Sequence, residues 1–174
     1  GFLAAAAFTI YRLVFTPLLK IYRLGPVISH EQAAAVPQSA LVSLQGLRNK
    51  GNIQPGQKVM IYGASGGNGT FAVQVAKAFG AEVTGVCSTK NVELIRSIGA
   101  DHVIDYAQED YTKSGQRYDL ILATAGYRSI FDYRRALQPT GTYVMTGGAP
   151  AQIYQAIFLG PLLSMRGSKR LTNL

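Results

Sequence analysis

Between Lys58 and Lys90 the chain runs through an apolar stretch, Val59-Met60-Ile61-Tyr62, and then a glycine-rich turn, Gly63-Ala64-Ser65-Gly66-Gly67-Asn68-Gly69. A helical pattern from Thr70 to Phe79 follows, and after it a second apolar stretch from Glu82 to Cys87. Strand, tight turn, helix and strand in this order form a βαβ unit. Without Cβ atoms the turn backbone can come close to a pyrophosphate, and the first N–H groups of the helix point at its negative charge. Because the glycines follow a strand and open a helix, the stretch predicts a dinucleotide site. The competing explanation is a turn whose glycines only let helix and strand pack closely.

The flanking pattern extends the unit. Ser29-His30-Glu31-Gln32 reads as a capping box, with a helix from Ala33 to Arg48 around Pro37 that Lys50-Gly51 stops. Pro55-Gly56 turns the chain into the first strand. Downstream, Val92–Ile98 reads as a helix, His102–Asp105 as a short strand, and Gln108–Ser114 as a short helix or loop. Tyr118–Ala123 reads as an apolar strand, Ser129–Leu137 as a helix, and Thr142–Met145 as a strand entered through Pro139-Thr140-Gly141. Ala151–Met165 is apolar and has helical character, and Lys169–Leu174 is the beginning of a sixth strand. Alternating β and α elements with continuous apolar strands predict an α/β fold, a Rossmann-type doubly wound parallel sheet covered on both faces.

At 174 residues the chain suffices for one packed domain. It divides into 1–25, an apolar amphipathic segment; 26–150, the nucleotide-binding domain; and 151–174, a helix and the start of a strand. With one cysteine, Cys87, and two histidines, His30 and His102, there is no internal disulfide framework and there are too few ligands for a zinc site. A reducing, cytoplasmic setting is expected. The net charge of +8 raises the question of nucleic acid. All nine acidic residues lie from Glu31 to Asp132, and six of the seventeen basic residues sit at the two ends, as Arg12, Lys20, Arg23, Arg166, Lys169 and Arg170. The central region is therefore close to neutral, and no basic run interleaved with aromatics points to nucleic acid.

On a helix, Thr9, Arg12, Thr16, Lys20 and Arg23 fall within an arc of about 80° on an otherwise apolar cylinder. The charge-free run from Gly1 to Tyr11 is too short to span a bilayer, Pro17 would kink or break a helix through this segment, and no basic n-region marks a secretory signal. Three readings stay open: an interfacial membrane helix, a helix packed on a neighbouring domain, or a segment whose natural context is missing.

At the end of the second strand, where an NAD-preferring fold carries Asp or Glu, the chain reads Cys87-Ser88-Thr89-Lys90. Two hydroxyls and an ammonium with no adjoining carboxylate favour the 2′-phosphate of NADPH over NADH; the alternative is a solvated turn. Two other enzymes share the glycine spacing. Gly63-Ala64-Ser65-Gly66-Gly67 fits the nucleophile elbow of hydrolases, but the only later histidine, His102, opens a predicted strand beside Asp101. Short-chain dehydrogenases use a Tyr-x-x-x-Lys pair, and none of the ten tyrosines has lysine four residues on.

Glu31-Gln32-Ala33-Ala34-Ala35-Val36-Pro37, Gln54-Pro55-Gly56-Gln57-Lys58-Val59, the glycine turn, Gly99-Ala100-Asp101-His102-Val103-Ile104-Asp105-Tyr106 and Pro139-Thr140-Gly141 resemble one family. That family is the medium-chain dehydrogenase/reductase superfamily, in its zinc-independent quinone oxidoreductase-like group, and the likeness covers the cofactor domain. The resemblance implies NADPH as cofactor and hydride delivery to a quinone or an activated C=C bond. It implies that Ser65, Gly66, Gly67, Asn68 and Gly69 hold the pyrophosphate, that Ser88, Thr89, Lys90 and Tyr106 hold the 2′-phosphate, and that Ala125, Gly126, Thr146 and Gly147 flank the nicotinamide.

The family's amino-terminal substrate domain and carboxyl-terminal return segment have no counterpart in this sequence. Val42 stands where the family often has Thr, Asn68 where it has Val, and Ala123-Thr124-Ala125 where it has a more polar stretch. The expectation is an NADPH-dependent oxidoreductase represented by its cofactor domain, with no metal and no general acid or base of its own. Its partners would be a small quinone or enone and a second copy of the chain paired at the last strand; a membrane surface stays open through 1–25. The alternative is a non-catalytic NADPH-binding module.

Overall fold

A computed structural model describes residues 30–150, 154 and 169–174. The expectations for 1–25, for the Ser29 cap and for most of 151–165 lie outside the described residues. The chain divides into two compact units, Gly1–Ala35 and Val36–Leu174. Of the first, only 30–35 are described, as the beginning of helix α1 (His30–Leu44). No helix of the described residues is long and apolar enough to cross a membrane.

Helix α1 runs through Pro37 and continues into a π-helical turn, Gln45–Lys50, which Gly51 closes by donating its N–H to the Gly46 carbonyl at 2.8 Å. The described residues then form β1 (Lys58–Tyr62), α2 (Gly67–Ala78), β2 (Glu82–Cys87), α3 (Val92–Ser97), β3 (His102–Asp105), β4 (Tyr118–Ala123), α4 (Ile130–Ala136), β5 (Leu137–Met145) and β6 (Arg170–Asn173). All five strand pairings are parallel, and the order across the sheet is β3-β2-β1-β4-β5-β6. This is the Rossmann order, with its reversal between β1 and β4.

The starts of α2 and β5 are among the boundaries that differ from the sequence expectation. Helix α2 begins at Gly67, so the second half of the glycine turn is already its first turn. Strand β5 begins at Leu137 and contains Pro139-Thr140-Gly141, which the sequence presents as a turn. The reason is a register shift: Tyr118 pairs with Leu137 while Leu120 pairs with Thr142, so the intervening residues are absorbed as an irregularity. A proline has no N–H to give a ladder and fits such a place.

The sheet is buried on both faces, which explains its unbroken apolar strands. On one face Leu122 lies against Gly46 of the π turn and Leu120 against Gly51, which closes it, and Gly85 lies against Ile95 of α3. On the other, Met60, Tyr62, Ile121, Ala123, Tyr143 and Met145 join Ile130, Tyr133 and Ala136 of α4 in one cluster. Tyr133 centres an aromatic stack there: its ring centroid is 4.8 Å from Tyr143, 5.6 Å from Tyr62 and 6.2 Å from Tyr111.

Helix α2 is fixed to the sheet at both ends. At its start, a Cβ on Gly69 would lie 2.1 Å from the Gly63 carbonyl oxygen and 2.7 Å from the Ala64 Cα. Near its end, Lys77 Nζ donates to both Asp101 oxygens at 2.8 Å, and Asp101 also accepts the Val83 N–H at 2.7 Å. Burial opposes ionisation of Asp101, but the Lys77 bond and the Val83 amide outweigh it and hold the carboxyl below the usual range.

Gly69→Ala is expected to destabilise the fold by about 1–3 kcal/mol or more in chemical denaturation, because backbone atoms must move to admit the methyl. Gly66→Ala, with no neighbour closer than 3.5 Å, should change stability little. For Asp101, the depressed folded pKa means its contribution is complete above the unfolded value of about 3.9 and is lost as pH falls through the lower folded one. Melting temperature followed from pH 7 downward should therefore show a weaker acid limb in Asp101→Asn than in the unaltered chain.

Candidate cofactor site

A cleft of about 690 Å³ opens at the carboxyl ends of the strands, where the order reverses between β1 and β4. Open parallel sheets place ligands at this point because the loops leaving β1 and β4 go to opposite faces and separate. The glycine turn forms its floor. Gly63 has φ +81°, and a Cβ there would lie 2.8 Å from the Ala125 Cβ, so turn geometry and packing both require glycine. The N–H groups of Gly63 and Ala64 both reach the Val86 carbonyl, at 3.1 and 3.0 Å, which ties the turn to β2.

Gly66 and Gly67 are different. Gly66 is in ordinary extended conformation at φ −75°, and its Cβ position is 3.5 Å from the closest atom; at Gly67 the closest is the Ser39 hydroxyl at 3.3 Å. Both line the cleft and are exposed. Neither conformation nor severe crowding calls for glycine at these two positions. What glycine provides is an uncovered backbone facing the cleft. Helix α2 opens beside it: Thr70 makes the first intrahelical bond, to the Gly66 carbonyl at 2.9 Å, so the amides of Gly67, Asn68 and Gly69 have no acceptor within the helix. No acidic residue occupies this first turn, and the helix dipole adds positive potential. The fully buried Ser43 hydroxyl lies 2.7 Å from the Asn68 carbonyl and 2.8 Å from that of Ser39, sharing its proton between them and steadying the turn from α1.

The sequence candidates separate into groups. Ser65, Gly66, Gly67, Asn68, Tyr106 and Ala125 line the cleft together. Gly69 is buried below it as a packing residue. Gly126 donates its N–H to the Gly147 carbonyl at 2.9 Å, and the Thr146 hydroxyl reaches the Ala123 carbonyl at 3.3 Å, so Gly126, Thr146 and Gly147 join the ends of β4 and β5 beside Ala125. Asn68 is half-exposed in the cleft, so its amide escapes the desolvation expected of a polar group in an aliphatic place. Val42 is half-buried and does not line the cleft.

Ser88, Thr89 and Lys90 follow Cys87, a lining residue, at the end of β2. One expectation is corrected here. The sequence presents no carboxylate near this turn, but β3 pairs Asp105 with Cys87 and carries it there. Asp105 is 7% exposed and fully engaged: it accepts from the hydroxyl and N–H of Thr89, from the Ala107 N–H at 3.0 Å and from Gln108 Nε2 at 2.8 Å. The Thr89 bond, against the effect of burial, holds this carboxyl below the usual range. Lys90 is exposed. Burial, and then the Asp105 charge, push the Cys87 thiol up, so Cys87 stays a neutral thiol at pH 7.

Gly63, the first glycine of the turn, also lines the cleft, and Tyr62, Cys87, Thr124 and Tyr127 join it without a motif to announce them. The available signal is their place at the ends of neighbouring strands. Thr124 is central: its N–H donates to the Tyr62 carbonyl at 3.0 Å, and its hydroxyl lies 3.0 Å from the carbonyls of both Tyr62 and Gly63. It closes β4 onto β1 under the cleft. Tyr106 and Tyr127, 53% and 70% exposed, present two aromatic rings to the same space. Among the described residues, no three His, Cys, Asp or Glu side chains are grouped to hold a metal ion.

Known proteins resemble this chain in sequence and in fold. The model of the zinc-binding dehydrogenase family matches residues 67–172. The mitochondrial NAD(P)H oxidoreductase RTN4IP1 of Mus musculus is 44% identical over 106 residues, covering 57% of this chain and 27% of the mouse protein. The trans-enoyl reductase pgmF of Aspergillus terreus is 41% identical over 98 residues, 55% of this chain and 28% of that protein. The solved quinone oxidoreductase of Coxiella burnetii superposes with a TM-score of 0.72 at 27% identity, over 84% of this chain and 44% of its own. The chain thus matches less than half the length of each of these relatives. With a family model covering more than half of it and a six-stranded Rossmann sheet in common with quinone oxidoreductases, the chain belongs to the zinc-binding dehydrogenase family of the medium-chain dehydrogenase/reductase superfamily.

Proposed function

We propose that the chain is the cofactor domain of an NADPH-dependent oxidoreductase that reduces a quinone or an activated C=C bond. The observation that carries this reading is the uncovered backbone of Gly66 and Gly67 at the start of α2, beside three amides without helical acceptors. A pyrophosphate fits such a cradle, and a side chain there would fill it. When bound, reduced nicotinamide supplies a hydride; the chain's own groups bind, orient and exclude water. The amides of Gly67 and Asn68, with the Ser65 hydroxyl, would hold the diphosphate. Ala125, Gly126, Thr146 and Gly147, braced by the bonds between β4 and β5, would form the wall for the nicotinamide end.

The preference for NADPH rests on the other end of the cleft. Asp105 already accepts bonds at both oxygens, so its charge is turned inward, whereas the Lys90 ammonium and the Tyr106 ring are exposed. Ser88 and Thr89 hold the turn that presents them: Asn91 Nδ2 donates to the Ser88 hydroxyl at 3.1 Å, and Thr89 bonds Asp105. In this reading Thr89 acts through Asp105, and Lys90 is the residue that meets the phosphate. The substrate class follows the relatives, of which one is named a trans-enoyl reductase and one a quinone oxidoreductase.

Nicotinamide fluorescence titration is expected to show tighter binding of NADPH than NADH, with Lys90→Ala weakening NADPH by about tenfold and leaving NADH nearly unchanged. Gly66→Glu should keep the fold, judged by its melting curve, and abolish binding of both nucleotides by putting a carboxylate in the phosphate cradle. Equal affinities in Gly66→Glu and the unaltered chain would overturn the proposed site. NADPH oxidation with a simple quinone then separates the enzyme from a binding module, which would bind without turnover.

A further inference from the structure

A second concavity, of about 470 Å³, lies at the other end of the sheet and plays no part in the cofactor cleft. Its walls are Arg117, just before β4; Phe131, Arg134 and Arg135 on α4; and Lys169, just before β6. Positions 131, 134 and 135 are three and four residues apart and share one side of the helix. Four cations thus converge from three separate parts of the chain at the amino ends of the strands. Among the described residues, the one carboxylate bonded to any of them is Asp132, which pairs with Arg135.

The bonds these cations make do not neutralise them. Lys169 Nζ donates to the carbonyls of Arg134 and Leu137 at 2.7 and 3.0 Å. Arg117 Nη1 donates to the carbonyls of Arg135 and Leu137. Closing the carbonyl end of α4 is a sufficient structural role for one cation. Two cations on these carbonyls, with Arg134 beside them, exceed that need. Burial and the charges of Arg117 and Arg134 push the Lys169 ammonium down, which marks the cluster as mutually repulsive. Arg134 Nε is buried with no hydrogen-bond partner among the described residues, a donor left without an acceptor. Phe131, 49% exposed, supplies an apolar flank.

We propose that this groove binds a phosphate monoester, with the phosphate among Arg117, Arg134 and Lys169 and the organic part against Phe131. A tetrahedral dianion accepts bonds from several directions at once, which suits donors fixed on different elements, and guanidinium forks match its oxygens. It also neutralises the repulsion that the carbonyl bonds leave in place.

The test is a titration of the full chain with inorganic phosphate against chloride at matched ionic strength, followed by NMR of the arginine Nε–Hε and Phe131 ring signals. The expected result is a saturable shift at Arg134 and Phe131 that also occurs in the Gly66→Glu background. Arg134→Gln and Lys169→Gln should each weaken the phosphate response by about tenfold. Identical responses to phosphate and chloride, or an unchanged affinity in Arg134→Gln, would overturn the proposal. The unaltered chain alone decides the first point, so a variant that folds poorly does not remove the test. Soluble metabolites and phosphatidic acid both carry a phosphate monoester, and co-sedimentation with phosphatidylcholine vesicles, with and without phosphatidic acid, separates them. Pelleting that requires phosphatidic acid and Arg134 assigns the lipid headgroup; a phosphate shift without pelleting assigns a soluble ligand.

Discussion

The contact on which the rest depends is the one between Gly69 and Gly63, where helix α2 rests on the carbonyl of the turn that precedes it. A Cβ at Gly69 would lie within 2.1 Å of that oxygen, so the helix can take this position only without a side chain. The approach sets the direction of α2 relative to β1, and with it the direction of the free amides of Gly67 and Asn68. Every other feature of the cleft adjusts to it. Val86 accepts the two amides of the turn, Thr124 bonds the carbonyls at the end of β1, and Ser43 bonds Asn68. Each removes a freedom from the same few residues, so bonds within the chain fix the shape of the turn. Preorganisation of this kind lowers the cost of binding.

The opposite face of the sheet reaches the same rigidity by other means. Tyr62, which ends β1 at the cleft, packs edge-on against Tyr111 and Tyr133, and Tyr133 stacks on Tyr143 of β5. Edge and offset arrangements of aromatic rings gain about 0.5–1.5 kcal/mol each beyond the area they bury. The stack carries a cost in return, since the Tyr111 hydroxyl is buried without a partner. Burial, foremost among the causes, pushes the hydroxyls of Tyr111, Tyr133 and Tyr143 up, so all three stay neutral. Arg128 bonds the Tyr62 hydroxyl and lies 3.8 Å from Asp110, which links the loop after β4 to the stack. The cleft and the core of this face therefore share a wall.

The two ends of the sheet differ in their chemistry. At the carboxyl ends the potential comes from backbone amides and a helix start, with the nearby carboxylate Asp105 satisfied internally. At the amino ends it comes from side-chain cations held on the carbonyls of α4. One end presents neutral dipoles with open backbone; in the groove at the other, four cations meet one bonded carboxylate among the described residues, Asp132 on Arg135. Lys169 and Arg134, remote in sequence, are neighbours in space.

By itself, the sequence determined the βαβ unit, the parallel character of the sheet and the grouping of Ser65, Gly66, Gly67 and Asn68 in one glycine turn, which the fold places in the cleft. These follow from local rules: periodicity, the glycines of one turn, and the absence of a side chain where backbone must be exposed. Only the tertiary structure decided which glycines serve packing and which serve the cleft, because Gly66 and Gly69 look alike until the neighbouring atoms are in place. Only strand pairing brought Asp105 beside Thr89, since parallel neighbours meet at residues far apart in the chain. The start of β5 at Leu137 and the convergence of Arg117, Arg134 and Lys169 belong to the same class. Each depends on register and on the closing of distant segments, and no local pattern encodes either.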